Sequence, residues 1–250
     1  MKTVSEFKKQ LDLQVNNHSI YIWAGSGTLA KNVNEAWIRA KEARVNNGKY
    51  TADAIKEWRN VMKTKYADVA RCFDCSGYVS WCLIEIGALD KRRDCDGLWS
   101  KCTPLSKPEN GALLFRVNAS NPNDETHVGV YFDGYQYHAK GRKDGVTKEK
   151  YKASFWAKCG WYKALDRDKP STFVFTRVLK YGSTGDDVVE LKRLLIAKGY
   201  GKGITTDTKS SPNYRSTTRK RVKEFQKAVG LKVDGIAGKD TIIALGGTYK

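Results

Sequence analysis

Along the first two thirds of the chain the hydrophobic positions change period once, from helical to alternating. Residues 34–45 have helical composition, and residues 52–69 carry Ile55, Trp58 and Met62 at three- and four-residue spacing. Residues 75–86 predict a third helix with Val79, Leu83 and Ile86 on one face. Strands follow. Residues 112–117 read as a buried strand, and residues 126–132 and 135–139 flank Asp133-Gly134, a strong signal for a two-residue hairpin loop. Residues 160–165 add one more strand. Helices first and strands later predict an α+β domain. After the polar run at 166–172 the helical period returns at 186–198 and 215–229, punctuated by Gly182, Gly185, Gly199 and Gly230. The expected organisation is a domain at 1–166, a linker at 167–175 and a helical domain at 176–250.

The hairpin fixes a register. A two-residue loop pairs Phe132 with Tyr135, Gly129 with His138 and His127 with Lys140. His127 and His138 then share one face as diagonal neighbours, with Cβ atoms roughly 7 Å apart. Val128, Val130, Phe132, Tyr135, Tyr137 and Ala139 occupy the other face, which reads as the packed side. Asp74-Cys75-Ser76-Gly77 opens the third helix, where unpaired N–H groups and the helix dipole favour a thiolate and offer donors to an oxyanion. A cysteine by itself is more often a small buried hydrophobe. The two histidines supply the base that changes this reading.

Composition narrows the partners. The 250 residues carry 45 Lys and Arg against 27 Asp and Glu, a formal charge of +18. Residues 171–250 hold 16 of these bases and 7 of the acids, so half of the excess sits in the last third. Such a charge steers the protein toward polyanions: nucleic acid, anionic lipid or an anionic cell wall. Aromatic platforms and base-reading motifs are not evident in the tail, so no nucleic-acid partner is expected. No run of about 18 apolar residues is present, so no membrane span is expected. The first thirty residues lack an apolar core segment, which predicts a chain without a signal peptide, folded in a reducing cytoplasm. The six cysteines are then free thiols or metal ligands. Cys72-Phe73-Asp74-Cys75, with Cys82, Cys95 and Cys102 behind it, raises a zinc site, but a second C-x-x-C is missing and the spacing is irregular. No metal or cofactor is expected. Cys82 and Cys159 read as core, and His18 as an exposed loop residue.

Taken together, Asp74-Cys75-Ser76-Gly77-Tyr78-Val79, His127-Val128-Gly129-Val130-Tyr131 and His138-Ala139 resemble the NlpC-type family of cell-wall cysteine peptidases. Tyr21-Ile22-Trp23-Ala24-Gly25 resembles that family's Tyr-x-Trp-Gly-Gly element, and residues 108–115 its Gly-Asp-Leu-Val-Phe-Phe strand, with Ala112 in place of the acid. The resemblance implies a papain-like fold, helices on an antiparallel sheet. It implies Cys75 as nucleophile, His127 as base, His138 as the residue orienting that base, and Tyr21 beside the thiol. About fifty residues separate Gly25 from Cys75, more than the family usually has, which predicts extra helices beside the cleft.

The tail resembles a common bacterial peptidoglycan-binding module, a small three-helix bundle. The matching residues are 179–188, Leu191 to Leu195, Phe225-Gln226, Val233-Asp234-Gly235-Ile236-Ala237-Gly238 and 241–245, with a polar insertion at 201–213. Leu191, Leu194, Leu195, Val222, Phe225, Val229 and Leu245 are the core candidates. The two resemblances imply a peptidoglycan hydrolase cleaving a γ-D-glutamyl–diamino-acid bond, with an N-acetylmuramoyl-L-alanine amidase as the alternative. An inert wall-binding phage tail protein is the alternative of another class. The arrangement resembles a phage endolysin: a monomer, held in the host cytoplasm until holin-dependent release, whose partners are peptidoglycan and teichoic acids.

Overall fold

The computed structural model describes residues 2–167, 173–204 and 211–250. The chain forms two units, residues 1–168 and 169–250. Of the expected linker, residues 168–172 lie outside the described residues, as do residues 205–210 of the polar insertion.

The first unit is α+β. It opens with α1 (Val4–Asn16), which is not among the helices expected from the hydrophobic period. Its signals are present in the sequence. Thr3 accepts the Glu6 N–H through its hydroxyl, and Val4, Phe7 and Leu11 form the buried stripe. Then come β1 (Ile20–Tyr21), β2 (Ser26–Leu29), α2 (Glu35–Glu42), α3 (Thr51–Met62) and β3 (Arg71–Phe73). The helix expected over 52–69 stops at Met62. Thr64 turns its hydroxyl to the Val61 carbonyl and accepts the Tyr66 N–H, so local side-chain bonding replaces the next helical turn. The small sheet runs β1-β3-β2, with β1 parallel and β2 antiparallel to β3. Ile20, Ile22, Val33, Ile38, Ile55 and Val61 form a separate core between this sheet and the helices α2 and α3.

The helix α4 (Cys75–Glu85) follows β3 directly, then α5 (Cys95–Trp99). The main sheet comprises β4 (Cys102–Leu105), β5 (Leu113–Asn118), β6 (Asn121–Phe132), β7 (Tyr135–Gly141), β8 (Gly145–Lys150) and β9 (Lys158–Tyr162). Its order is β4-β9-β5-β6-β7-β8, antiparallel throughout. The helix α4 is buried on every side of its first turns, as an apolar all-round helix must be. Val79 and Leu83 meet Phe115, Val128, Val130, Tyr137 and Ala139 of the sheet and Phe7 and Leu11 of α1 in one cluster.

The β6–β7 hairpin turns through Asp133 and Gly134, both at positive φ (49° and 80°), and pairs Phe132 with Tyr135 and Val130 with Tyr137. One expectation about its faces needs correction. Tyr135 is 38% exposed, whereas His138 and Gln136, on the face opposite the expected core, are buried. The segment carrying Phe155 and Trp156 covers that second face, and Trp156 donates its ring N–H to the Gln136 side chain at 2.9 Å.

The second unit holds β10 (Val174–Phe175), α6 (Asp186–Ala197), α7 (Ser216–Ala228), α8 (Lys239–Ala244) and β11 (Thr248–Tyr249), with β10 and β11 paired in parallel. Val174 and Phe175, placed in the linker by sequence, are thus part of this unit. Its core contains Phe175, Leu191, Leu194, Leu195, Tyr214, Val222, Phe225 and Leu245. Val229 is not in it. The residue sits at the C-cap of α7 and is 45% exposed. Gln226 is buried because its amide ties the following turn: it donates to Asp234 and the Ile236 carbonyl and accepts the Gly235 N–H at 2.9 Å. Gly235 needs its glycine there, with φ at 72°. Among the described residues no helix is long and apolar enough to cross a membrane.

Candidate active site

Asp74 is the N-cap of α4, accepting the Gly77 N–H at 2.6 Å, so Cys75 becomes the first helical residue. The helix must start here because of its neighbour. The Gly25 carbonyl accepts the Asp74 N–H at 2.9 Å, and a Cβ on Gly77 would lie 2.0 Å from that same oxygen. Gly77 therefore lets the turn after β1 press against the first turn of α4. Gly25 is equally constrained, since its own Cβ would lie 2.8 Å from the Ile22 and Cys72 carbonyls. Ala24, just before Gly25, takes φ of 54°, a left-handed conformation that an alanine adopts at a cost.

The two histidines come together as the register requires. His127 Nε2 and His138 Nδ1 are 2.9 Å apart. The second ring continues outward: His138 Nε2 lies 3.0 Å from Glu149 Oε1 on β8. With Nδ1 accepting from His127 and Nε2 donating to the carboxylate, His138 is held as one neutral tautomer. Burial, then the charge of His127, lowers its pKa from 6.5 to about 4, against the pull of Glu149. The Glu149 carboxyl is itself held low: burial opposes ionisation, but hydrogen bonds from His138, Gln136 and Lys140 outweigh it.

His127 stacks on Trp156, ring centroids 5.6 Å apart and planes within 13°. Gly129 makes room for this, since a Cβ there would stand 2.7 Å from the Trp156 ring. With Nε2 committed to His138, Nδ1 of His127 is the nitrogen left for the thiol. The Cys75 thiol is held well below its ordinary value, first by a hydrogen bond from Cys95 and then by His127, against the penalty of burial. Its Sγ lies 3.9 Å from that of Cys95.

Tyr21 joins the same buried cluster as Cys75, and its phenol is pushed up first by burial and next by the thiolate. The Arg142 guanidinium lies over its ring at 4.6 Å and over Tyr50 at 5.0 Å, and pairs with the fully buried Glu42 at 2.7 Å. Glu42 also accepts the Trp23 N–H at 2.8 Å. The helices α2 and α3 are thus tied to the wall of the site. Arg92 reaches Asp74 at 2.5 Å and Ser76 at 3.3 Å from the rim. Elsewhere, Cys82 is fully buried and Cys159 nearly so, while His18 is exposed and stacked on Tyr66 at 4.0 Å.

The structure brings Cys75, His127, His138 and Tyr21 into one site. It adds Cys95, Glu149 and the Glu42–Arg142 pair, which the motifs did not name. A signal for Cys95 exists: Asp94-Cys95-Asp96-Gly97 repeats the Asp-Cys-x-Gly pattern, and Asp94 accepts the Gly97 N–H at 2.8 Å as Asp74 accepts that of Gly77.

A thiol on a buried helix start, facing an imidazole on an antiparallel sheet, is the papain-like arrangement. Residues 62–163 match the NlpC/P60 family and residues 184–245 match the putative peptidoglycan binding domain. The chain carries an NlpC/P60 domain followed by a peptidoglycan-binding domain. Most of the helical insert, including α2 and nearly all of α3, precedes the matched segment. Among solved structures, NlpC2 from Trichomonas vaginalis is 16% identical with a TM-score of 0.41, and covers 64% of this chain. The chain spans 46% of that protein's length. The peptidoglycan hydrolase RipB from Mycobacterium tuberculosis is 16% identical with a TM-score of 0.36, over 62% of this chain and 65% of RipB. The NlpC/p60 domain of the peptidoglycan hydrolase SagA is 21% identical with a TM-score of 0.31, over 36% of this chain and 76% of that domain. No curated protein matches the chain.

Proposed function

We propose that the protein is a peptidoglycan hydrolase in which the first unit cleaves a stem-peptide amide by thiol catalysis and the second holds the wall. The observation that carries this reading is the continuous line from Cys75 through His127 and His138 to Glu149. The Cys75 thiolate attacks the amide carbonyl while His127, having taken the thiol proton, delivers it to the leaving amine. The oxyanion meets the Cys75 N–H, which helix geometry leaves without an intrahelical acceptor, and the Tyr21 hydroxyl. Water then attacks the thioester with His127 as base, releasing the acid and restoring the thiol. His138 accepts from His127 Nε2 throughout and keeps the ring aimed at sulfur.

The bond proposed is γ-D-glutamyl–diamino acid. Such a linkage leaves a free α-carboxylate beside the scissile amide, and the half-exposed Arg92 places a cation next to the nucleophile. A hydrolase tethered to a basic wall-binding unit also suits the phage-endolysin setting, with teichoic acids as further anionic partners. The test is mass spectrometry of fragments released from defined muropeptides. Wild type should yield a new amine on the diamino acid, and Cys75→Ala should yield none at an unchanged melting temperature. Release of L-alanine-terminated peptides from muramic acid would instead identify an amidase. Undiminished cleavage by Cys75→Ala would refute the thiol mechanism.

A further inference from the structure

The mechanism above gives Cys95 no bond-making step, yet its sulfur is 3.9 Å from the nucleophile and both residues are buried. We propose that Cys75 and Cys95 are a peroxide-modifiable thiol pair, closing to a disulfide that silences the nucleophile and reopens on reduction. That the closed form is inactive rests on the hydrolase reading; the disulfide itself does not.

The co-substrate is a hydroperoxide. The Cys75 thiolate attacks the peroxide oxygen, giving Cys75–SOH and hydroxide as the O–O bond breaks. The Cys95 sulfur then attacks the sulfenic sulfur, its proton leaves with the hydroxyl as water, and the S–S bond forms. One peroxide is reduced by two electrons and each sulfur gives up one. The sulfurs need only close from 3.9 Å to about 2.05 Å.

The electrostatics favour this order of events. Cys75 is held toward thiolate, whereas Cys95 is held protonated, first by its hydrogen bond to Cys75, then by burial, then by the charge of Cys75. Oxidation of Cys75 removes both influences of that thiolate and leaves burial and the charges of Asp74 and Asp96, so the hold on the Cys95 proton weakens once the sulfenic acid exists. The remaining thiols lack this arrangement. Burial pushes Cys72 and Cys102 up to about 12 and also raises Cys82 and Cys159. Without Cys95, a sulfenic acid at Cys75 would proceed to the irreversible sulfinic acid.

The experiment treats the full chain with hydrogen peroxide, blocks free thiols by alkylation and maps tryptic peptides. Residues 72–91 and 94–101 fall in separate peptides, so the disulfide appears as a cross-link between them. It should vanish in Cys75→Ser and on reduction with dithiothreitol. Wild-type wall lysis should fall at least tenfold on oxidation and return to within twofold on reduction. Cys95→Ser should not recover, and its Cys75 should carry two added oxygens. An oxidised wild type with Cys75 sulfinic acid and no cross-link would overturn the proposal, as would a cross-link that persists in Cys75→Ser. Recovery of Cys95→Ser equal to wild type would do the same. If walls prove not to be the substrate, or if Cys95→Ser does not fold, the wild-type and Cys75→Ser peptide maps still decide.

Discussion

Glu149 is the outermost member of the site, and its removal has a calculable effect. Its carboxylate accepts from His138 Nε2 at 3.0 Å, leaving Nδ1 of that ring unprotonated to accept from His127. In Glu149→Leu the reason for this tautomer is gone. Where the proton moves to Nδ1, two donors face each other and the His127 ring loses its support. A hydrogen bond to a charged acceptor is worth about 1.5–3 kcal/mol. If all of it is felt in the transition state, kcat falls by about 10- to 150-fold, at roughly 1.4 kcal/mol per factor of ten. KM should barely move, because Glu149 acts through two rings. Glu149→Gln keeps an acceptor at the same atom and should lose no more than about tenfold, the worth of the charge on the bond. Both variants also lose the exposed Lys140 ion pair, which contributes only about 0–1 kcal/mol to stability. Kinetics on a soluble muropeptide give the split between kcat and KM. The three histidines of the chain make ¹⁵N NMR of the ring nitrogens assignable, so the His138 tautomer can be read without substrate. A Glu149→Leu protein with wild-type kcat and an unchanged His138 tautomer would refute the reasoning.

Further outcomes are expected. His138 has its folded pKa lowered from 6.5 to about 4 by burial and the neighbouring His127, so between these values the unfolded chain binds the extra proton. Stability should therefore be fully present above pH 6.5 and decline by about 3 kcal/mol toward pH 4, and denaturant titrations of His138→Gln should show a shallower acid limb. Gly77→Ala places a Cβ 2.0 Å from the Gly25 carbonyl, backbone against backbone, and should cost more than about 3 kcal/mol or prevent folding. Ala24→Gly, at φ of 54°, should gain about 0.5–1 kcal/mol by relieving the left-handed alanine, read as a rise in melting temperature. A chain ending at Arg167 should cleave soluble muropeptides at near-normal rates but act more slowly on sacculi. Wall binding by residues 173–250 should weaken with salt, since exposed charges are screened over about 8 Å at physiological ionic strength. Binding that ignores salt would favour an uncharged pocket over the basic surface.

The residues proposed to bear the chemistry are legible because each obeys a local rule. The Asp133-Gly134 loop set the register that brings His127 to His138, and Asp74 announced the helix start that carries Cys75. What escaped depends on approach between distant segments. Glu149 sits in a short run of alternating charge, where nothing local says that β8 pairs with β7 and carries its carboxylate to His138. Cys95 offered a repeated cap pattern, but only the packing of α5 beside α4 makes it a neighbour of the nucleophile. The face assignment of the hairpin failed at Tyr135 for a related reason. The cover that buries Gln136 and His138 comes from Phe155 and Trp156, beyond the next strand. Val229 continued the helical period of α7 yet fell on its C-cap, where the chain has already begun to turn away from the core.

Arg142 shows why the insert cannot be regarded as a detachable ornament. Its guanidinium lies over both Tyr21 and Tyr50 and closes on a carboxylate with no exposure at all. Tyr50 and Glu42 belong to the insert, whereas Arg142 follows β7. Removing Glu42 alone would strand that cation against the tyrosine beside the nucleophile, and breaking a buried pair from one side typically costs about 3–5 kcal/mol. Residue 142 and the insert therefore form a single packing unit. An engineer who removes the extra helices takes away both partners of the arginine and faces a double edit.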